Sequence, residues 1–318
     1  MNARANFKPI IAIVGPTASG KSTLGIEVAL ELNGEIINCD SVQVYQGIQI
    51  ATAKVPVNER RNVPHHLIDF VPPHINYTAG EWAREAIATI EDIEKRGRVP
   101  ILVGGTGLYL RALRTPFFSS PQTNVELRRR VNLIRETRGA EYLHRLLKRL
   151  DPQSATELYP RDWPRVQRAI EVRSQTGQPM SAQKVKRPEP HESANRLRVI
   201  VLNPPRSELY QLINDRAEQH FASGLVEEVR TLLAQGVPGD SNALGAHGYR
   251  RVVEYLEGKR DLASAIGQTK QDVRNYAKRQ LTWFRREPGA VWFEGFGHDE
   301  AAKRAVFGVL KDGTADQT

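Results

Sequence analysis

One cysteine, Cys39, is all that 318 residues contain. A lone thiol excludes an internal disulfide and any zinc site built on cysteines, and it suits a reducing compartment. Long apolar runs are absent too, so no membrane segment is expected. There is no internal repeat. The opening MNARANFKPI runs directly into an apolar stretch, so no signal peptide is expected and the chain reads as cytoplasmic. The remainder is ordinary for a globular protein, 40% hydrophobic and 25% charged, enough for one large domain with an insertion or for two domains. Acidic residues are the other shortage. Lys and Arg number 45 against 36 Asp and Glu, a net charge of +9. That excess points to an acidic partner, most readily nucleic acid, or to a merely basic surface.

The first strong signal is Gly15-Pro16-Thr17-Ala18-Ser19-Gly20-Lys21-Ser22, which fits the phosphate-loop spacing G-x-x-x-x-G-K-[ST] at every fixed position. Its context agrees. Pro9–Val14 is a short apolar, β-branched run that reads as a buried strand, and Leu24, Val28 and Leu32 follow at helical spacing. A strand, a glycine-rich turn and a helix N-terminus form an anion cradle of backbone N–H groups and helix dipole. Lys21 adds a full charge and the Ser22 hydroxyl is the expected Mg²⁺ ligand. The motif reports a polyphosphate, without specifying ATP.

Further along, Gly34–Cys39 reads as a second strand ending at Asp40, which either faces the ligand crevice or caps a turn. Residues 51–80 read as irregular, with His65 and His66 in structural roles, since no third metal ligand is near. A helix is expected over 78–96 with Trp82 in the core, then a strand over 98–103. That strand opens into Gly104-Gly105-Thr106-Gly107, a second glycine-rich turn where Thr106 either faces the crevice or caps the next helix. From about 116 to 196 strand signals stop and arginine becomes dense, which predicts a basic helical insertion ending in a mobile linker over 183–195. A strand at 197–202 resumes the core, followed by helices over 208–223, 225–233 and 261–286. Lys270, Arg274 and Lys278 form a basic stripe on the last of these, Trp283 and Phe284 dock it, and 291–296 reads as an edge strand. The tail beyond about 310 is expected to be disordered. The fold class is thus α/β, a phosphate-loop core with a mostly parallel sheet and an inserted helical subdomain. Its expected parts are 1–115, the insertion 116–196, 197–300 and a C-terminal segment 301–318.

Taken together, GPTASGKS at 15–22, DSVQVY at 40–45, PHHLID at 64–69, PILVGGTGLYLRAL at 100–113, RVQRAIEV at 165–172 and DVRNYAKRQLTWFR at 272–285 resemble the bacterial tRNA dimethylallyltransferase (tRNA isopentenyltransferase) family, over roughly residues 9 to 297. The resemblance implies transfer of a dimethylallyl group from dimethylallyl diphosphate to the N6 amine of the adenosine beside the anticodon, with Mg²⁺ and without ATP turnover. It implies Asp40 as proton acceptor, Thr106 and Arg216 around the diphosphate, and residues 15–22 as the diphosphate cradle. By the same resemblance tRNA contacts are expected at Asp40, Ser41, Val42, Gln43, Thr106 and Arg128. They are also expected at Gln167, Arg168, Ala169, Ile170, Glu171, Lys278, Arg279, Gln280 and Arg285. The partners implied are the tRNA anticodon stem-loop and dimethylallyl diphosphate, with no membrane, for a protein acting as a monomer. The family's usual A-I-G-Y-K/R-E segment reads Ala246-His247-Gly248-Tyr249-Arg250-Arg251 here, without the acidic residue. Alternatives are a prenyltransferase for free adenylate, a small-molecule kinase, and an RNA-binding protein that uses nucleotide as a switch. The basic insertion favours tRNA over a mononucleotide.

Overall fold

Continuous β-branched runs such as IIAIV suit strands covered on both faces, and they build a parallel sheet here. The structure is a computed structural model that describes residues 9–118, 121–185 and 187–315. The chain begins β1 (Ile10–Val14), α1 (Lys21–Glu31), β2 (Gly34–Asn38), β3 (His65–His66), α2 (Ala79–Lys95), β4 (Val99–Gly104) and α3 (Gly107–Arg114). Five helices follow: α4 (Val125–Arg138), α5 (Ala140–Leu150), α6 (Pro152–Glu157), α7 (Trp163–Thr176) and α8 (Met180–Lys184). The chain then forms β5 (Leu197–Asn203), α9 (Arg206–Ala222), α10 (Leu225–Ala234), α11 (Tyr249–Leu256), α12 (Leu262–Phe284), β6 (Val291–Glu294) and α13 (Glu300–Ala315). Described residues up to Arg114 and from His191 onward form one compact unit, and Thr115–Pro190 form a second.

In the first unit all six strands are parallel, in the order β3-β2-β4-β1-β5-β6. β1 lies between β4 and β5, with Ile11 level with Ile101 on one side and Arg198 on the other. Its side chains alternate. Ile10, Ala12 and Val14 enter a core with Trp82, Ile93 and Tyr249, while Ile11 and Ile13 enter another with Leu24, Val28 and Val306. The turn after β1 therefore opens at the carboxyl ends of the strands, where neighbouring strands diverge in connection and ligands bind in open α/β sheets. Two sequence expectations are corrected. His65–His66, expected to be irregular, form the short edge strand β3. Residues to Ala315 form α13 rather than a disordered tail from about 310. Ala302, Val306 and Leu310 lie four apart and are buried. Burying two such aliphatic side chains contributes about 3–6 kcal/mol, enough to hold a terminal helix.

The second unit packs α4–α8 around Val131, Leu143, Leu147, Val166 and Ile170. Its internal anchor is Asp151, fully buried, whose carboxylate accepts from the amides of Ser154 (3.1 Å) and Ser181 (3.0 Å) and from both hydroxyls. These bonds start α6 and α8 together. The linker expected over 183–195 is thus helical at its beginning, as α8, and a 3₁₀ turn over Glu192–Arg196 in the first unit with Ser193 and Ala194 buried; Lys186 lies outside the described residues.

Candidate active site

The phosphate loop folds as its residues require. Gly20 precedes α1 at φ 79°, and a Cβ there would sit 2.8 Å from the amide nitrogen of Gly297, so only glycine fits. No side chain caps α1, which leaves its first-turn amides without intrahelical partners and turned to any anion. Ala18, also left-handed at φ 64°, stores backbone strain in the loop. The buried Ser19 hydroxyl has no hydrogen-bond partner among the described residues. Lys21 turns its ammonium onto Pro16 O at 3.1 Å. Burial pushes it down to about 8, opposed by the Asp40 carboxylate and assisted by the Arg216 guanidinium. Three groups far apart in the sequence therefore act on one another.

A cavity of about 500 Å³ opens beside this loop. Thr17 and Ala18, Asp40 and Ser41, Thr106, and Arg216 all line it. Asp40 has both of the roles open to it. Its Oδ1 accepts from the amides of Val42 (2.9 Å) and Gln43 (3.3 Å), a turn cap, while its Oδ2 takes no hydrogen bond among the described residues. Thr106 does not cap α3 with its side chain. Its Oγ1 instead accepts from the Ser41 amide at 2.9 Å and donates to Ser41 Oγ at 3.2 Å, which ties the second glycine turn to the segment bearing Asp40. Gln43 holds Thr52 O at 3.0 Å.

The far wall is not evident from the sequence. Ile213, Arg216, Ala217 and His220 share one face of α9, and Thr269, Val273 and Tyr276 one face of α12. Helical spacing was the available signal, but it matches that of any packed face. Tyr276 stacks at a tilt on His247, ring centroids 4.8 Å apart. Burial lowers the affinity of His247 for a proton, aided by Arg279 and Arg251 against Asp272. His220 is lowered by burial and by Arg216. Both shifts favour the neutral imidazole. In the segment that departs from the family pattern, Ala246 and His247 line the cavity, whereas Arg251 turns away to Glu254 (2.8 Å) and Asp272 (2.7 Å).

The expected tRNA-contact residues divide sharply. Lys278 and Arg279 on α12, and Arg285 just past its end, are exposed. Gln280 is buried. In the second unit Ala169 and Ile170 are core, Gln167 is buried with its amide on Arg128 O (3.2 Å), and Glu171 is wholly buried beneath Arg128 and Arg168. These four side chains face inward because α7 needs an apolar face and an internal ion pair to pack on α4, so only Arg168 of that set, with Arg128, keeps partial exposure. His66 donates to the Glu35 carboxylate at 2.6 Å, a structural role. Trp283 lies against Gly107 and Phe284 is buried, which docks α12.

A family model described as IPP transferase matches residues 43–287. The chain belongs to the IPP transferase family. A tRNA dimethylallyltransferase of Solibacter usitatus is 46% identical over 290 residues, 91% of this chain and 94% of that protein. The tRNA dimethylallyltransferase of Koribacter versatilis is 45% identical over 304 residues, 95% and 98% of the two chains. Among solved structures, the full-length tRNA isopentenylpyrophosphate transferase of Bacillus halodurans aligns with TM-score 0.70 at 35% identity, covering 98% of each chain. A eukaryotic dimethylallyltransferase acting on tRNA aligns with TM-score 0.80 at 29% identity, covering 98% of this chain and 80% of its own. The likeness in sequence and in fold thus extends over nearly the whole of this chain. No helix among the described residues is long and apolar enough to cross a membrane.

Proposed function

We propose that this chain transfers a dimethylallyl group from dimethylallyl diphosphate to the N6 amine of the adenosine beside the anticodon of tRNA, releasing diphosphate. The observation that carries the reading is the meeting of Asp40, Thr106 and Arg216 with the phosphate loop around one cavity, in a chain of the IPP transferase family. Family membership favours this over a kinase or a nucleotide switch.

The adenine amine is a weak nucleophile because its lone pair is delocalised. As it bonds to the allylic carbon the C–O bond breaks, negative charge grows on the diphosphate, and a proton leaves nitrogen. Lys21, Arg216 and the free amides of α1 stabilise that negative charge where it develops. Asp40 Oδ2 accepts the proton, an effect worth roughly 10²–10⁴-fold. Oδ1, fixed by two amides, keeps the carboxylate aimed. The apolar side chains of Val42, Ile213 and Val273 on the cavity wall suit the prenyl tail. The residues also fit Mg²⁺. Ser22 is only part-buried at the first turn of α1, and no cluster of three His, Cys, Asp or Glu suited to a metal occurs among the described residues. The Ser22 hydroxyl would hold the ion, which as Mg²⁺ would need few other protein ligands. When bound it neutralises part of the leaving group's charge. Exposed Lys278 and Arg279 on α12 and Arg285 at its C-terminal end are the proposed tRNA contacts of the first unit, and Arg128 and Arg168 those of the second. The protein is proposed to act as a cytoplasmic monomer.

Incubation of unmodified tRNA with dimethylallyl diphosphate and Mg²⁺, without ATP, should yield prenylated adenosine by mass spectrometry. Strict dependence on ATP, or equal efficiency on free adenosine monophosphate, would sink the reading.

A further inference from the structure

The resemblance makes Gln280 a tRNA contact, yet only 4% of it is exposed, although Lys278 and Arg279 beside it face solvent. Both ends of its amide are engaged. Oε1 accepts from the Thr17 amide at 2.8 Å, and Nε2 donates to Gly105 O at 3.0 Å. These partners sit in different loops, the phosphate loop and the second glycine turn. Each loop lines the cavity, the first through Thr17 and Ala18 and the second through Thr106. The fit is close. A Cβ on residue 105 would lie 2.0 Å from Nε2 and 3.3 Å from Gly15 O, so Gly105 is the residue that lets the amide in.

A group at this point must accept from one backbone and donate to another at once. The glutamine amide does both, with its acceptor oxygen and donor nitrogen held in one plane. We propose that Gln280 is a positioning residue: its amide sets the phosphate loop against the second glycine turn, holding the loop in the form that receives a diphosphate. This rests on the reading of the cavity as a diphosphate site. The Thr17 N–H is drawn to Gln280 instead of the anion, which orients its own peptide, whose carbonyl, Pro16 O, accepts from Lys21. The Gly105 bond fixes the turn from which Thr106 braces Ser41. Without the amide, the buried Gly105 carbonyl and the part-buried Thr17 N–H lose their partners and the loops lose their common register.

The test uses the full chain with inorganic diphosphate and Mg²⁺ in calorimetry, tRNA in a separate binding assay, and steady-state kinetics with dimethylallyl diphosphate at saturating tRNA. Gln280→Met keeps the reach and removes both hydrogen bonds. It should weaken diphosphate binding and raise the KM for the donor by roughly tenfold or more, the scale of an unpaired buried amide. The tRNA dissociation constant should stay within about twofold, since the side chain faces no solvent. Gly105→Ala serves as the second variant should Gln280→Met fail to fold: its methyl displaces the amide and should give the same donor-side defect. Weakened tRNA binding with unchanged diphosphate binding would make Gln280 a tRNA contact and overturn the proposal. A lower melting temperature with all binding constants unchanged would also overturn it, as a purely structural role. Should the native chain bind diphosphate but transfer no prenyl group, the proposed function fails while the calorimetric comparison still decides the role of Gln280. Should the native chain bind no diphosphate, both fall.

Discussion

Arg128 closes a two-point grip on Glu171, Nε to Oε1 at 2.8 Å and Nη2 to Oε2 at 2.9 Å, with the carboxylate wholly buried and the arginine side chain 41% exposed. The pair joins α4 to α7 in the second unit. The two residues are unequal in what their removal leaves behind. Without Glu171 the guanidinium turns to water; without Arg128 a buried carboxylate loses its two shorter bonds and keeps the longer Arg168 pairing at 3.4 Å.

Arg128→Ala should therefore destabilise the second unit by about 2 kcal/mol, the scale of a buried carboxylate that loses charged hydrogen bonds, and Glu171→Gln by clearly less. Denaturant unfolding of both variants measures the difference. Equal stabilities together with abolished tRNA binding would mean that the pair serves the ligand rather than the fold.

A second prediction concerns pH. Burial pushes the Glu35 carboxyl up, but hydrogen bonds from Arg96 and His66 outweigh burial and hold it below its ordinary value of 4.5. A folded pKa below the unfolded one contributes stability that is present above about pH 4.5 and lost as pH falls through the folded value. The melting-temperature gap between native protein and Glu35→Gln should thus be widest near pH 6 and narrow below pH 4.5. A gap that is flat with pH would show that the ion cluster contributes nothing through charge.

The core strands and the phosphate loop were legible because a local pattern specifies each: β-branched runs, glycines where φ is positive, and helical spacing after the loop. The paired function of Asp40, as a turn cap and as a cavity group, was legible only as a choice, since one carboxylate has two oxygens and the sequence cannot divide them. α13 was not legible at its end because the polar residues from Lys311 on hide the helical spacing of Ala302, Val306 and Leu310, and the helix is held by docking of Val306 and Leu310 against the core beside the sheet. The burial of Gln280 was hidden because a buried polar residue on a basic helix has the same sequence signature as an exposed one. Its partners, Thr17 and Gly105, lie 263 and 175 residues away.

Lys21 offers a prediction with a sign. Burial pushes its ammonium down to about 8, so the charged, anion-binding form is lost as pH rises through that value. Diphosphate binding to the free protein should weaken between pH 7 and pH 9. Lys21→Met should bind weakly throughout, and its pH dependence should lack that step. An identical pH profile in both proteins would show that Lys21 carries no charge to the anion.

The final prediction concerns the basic stripe on α12, whose three members are not equivalent. Lys270 pairs with Glu218, and Arg274 holds Asn214 and Gln271, so both are engaged with α9 or their own helix. Lys278 and Arg285 are exposed beside a groove of about 360 Å³ that also holds Arg206 and Tyr210. If α12 meets tRNA phosphates, each phosphate it neutralises releases counterions and steepens the fall of affinity with salt. Replacing Lys278 and Arg285 with glutamine should flatten the log–log salt slope by about one unit for each phosphate no longer neutralised. Replacing Lys270 and Arg274 should change the slope little and the stability more, since their charges and amide partners hold α12 on α9. Turnover at saturating tRNA should survive the Lys278 and Arg285 changes, because neither side chain lines the cavity that holds Asp40 and Arg216. A slope altered by the Lys270 and Arg274 pair alone would move the tRNA footprint toward the N-terminal half of the helix.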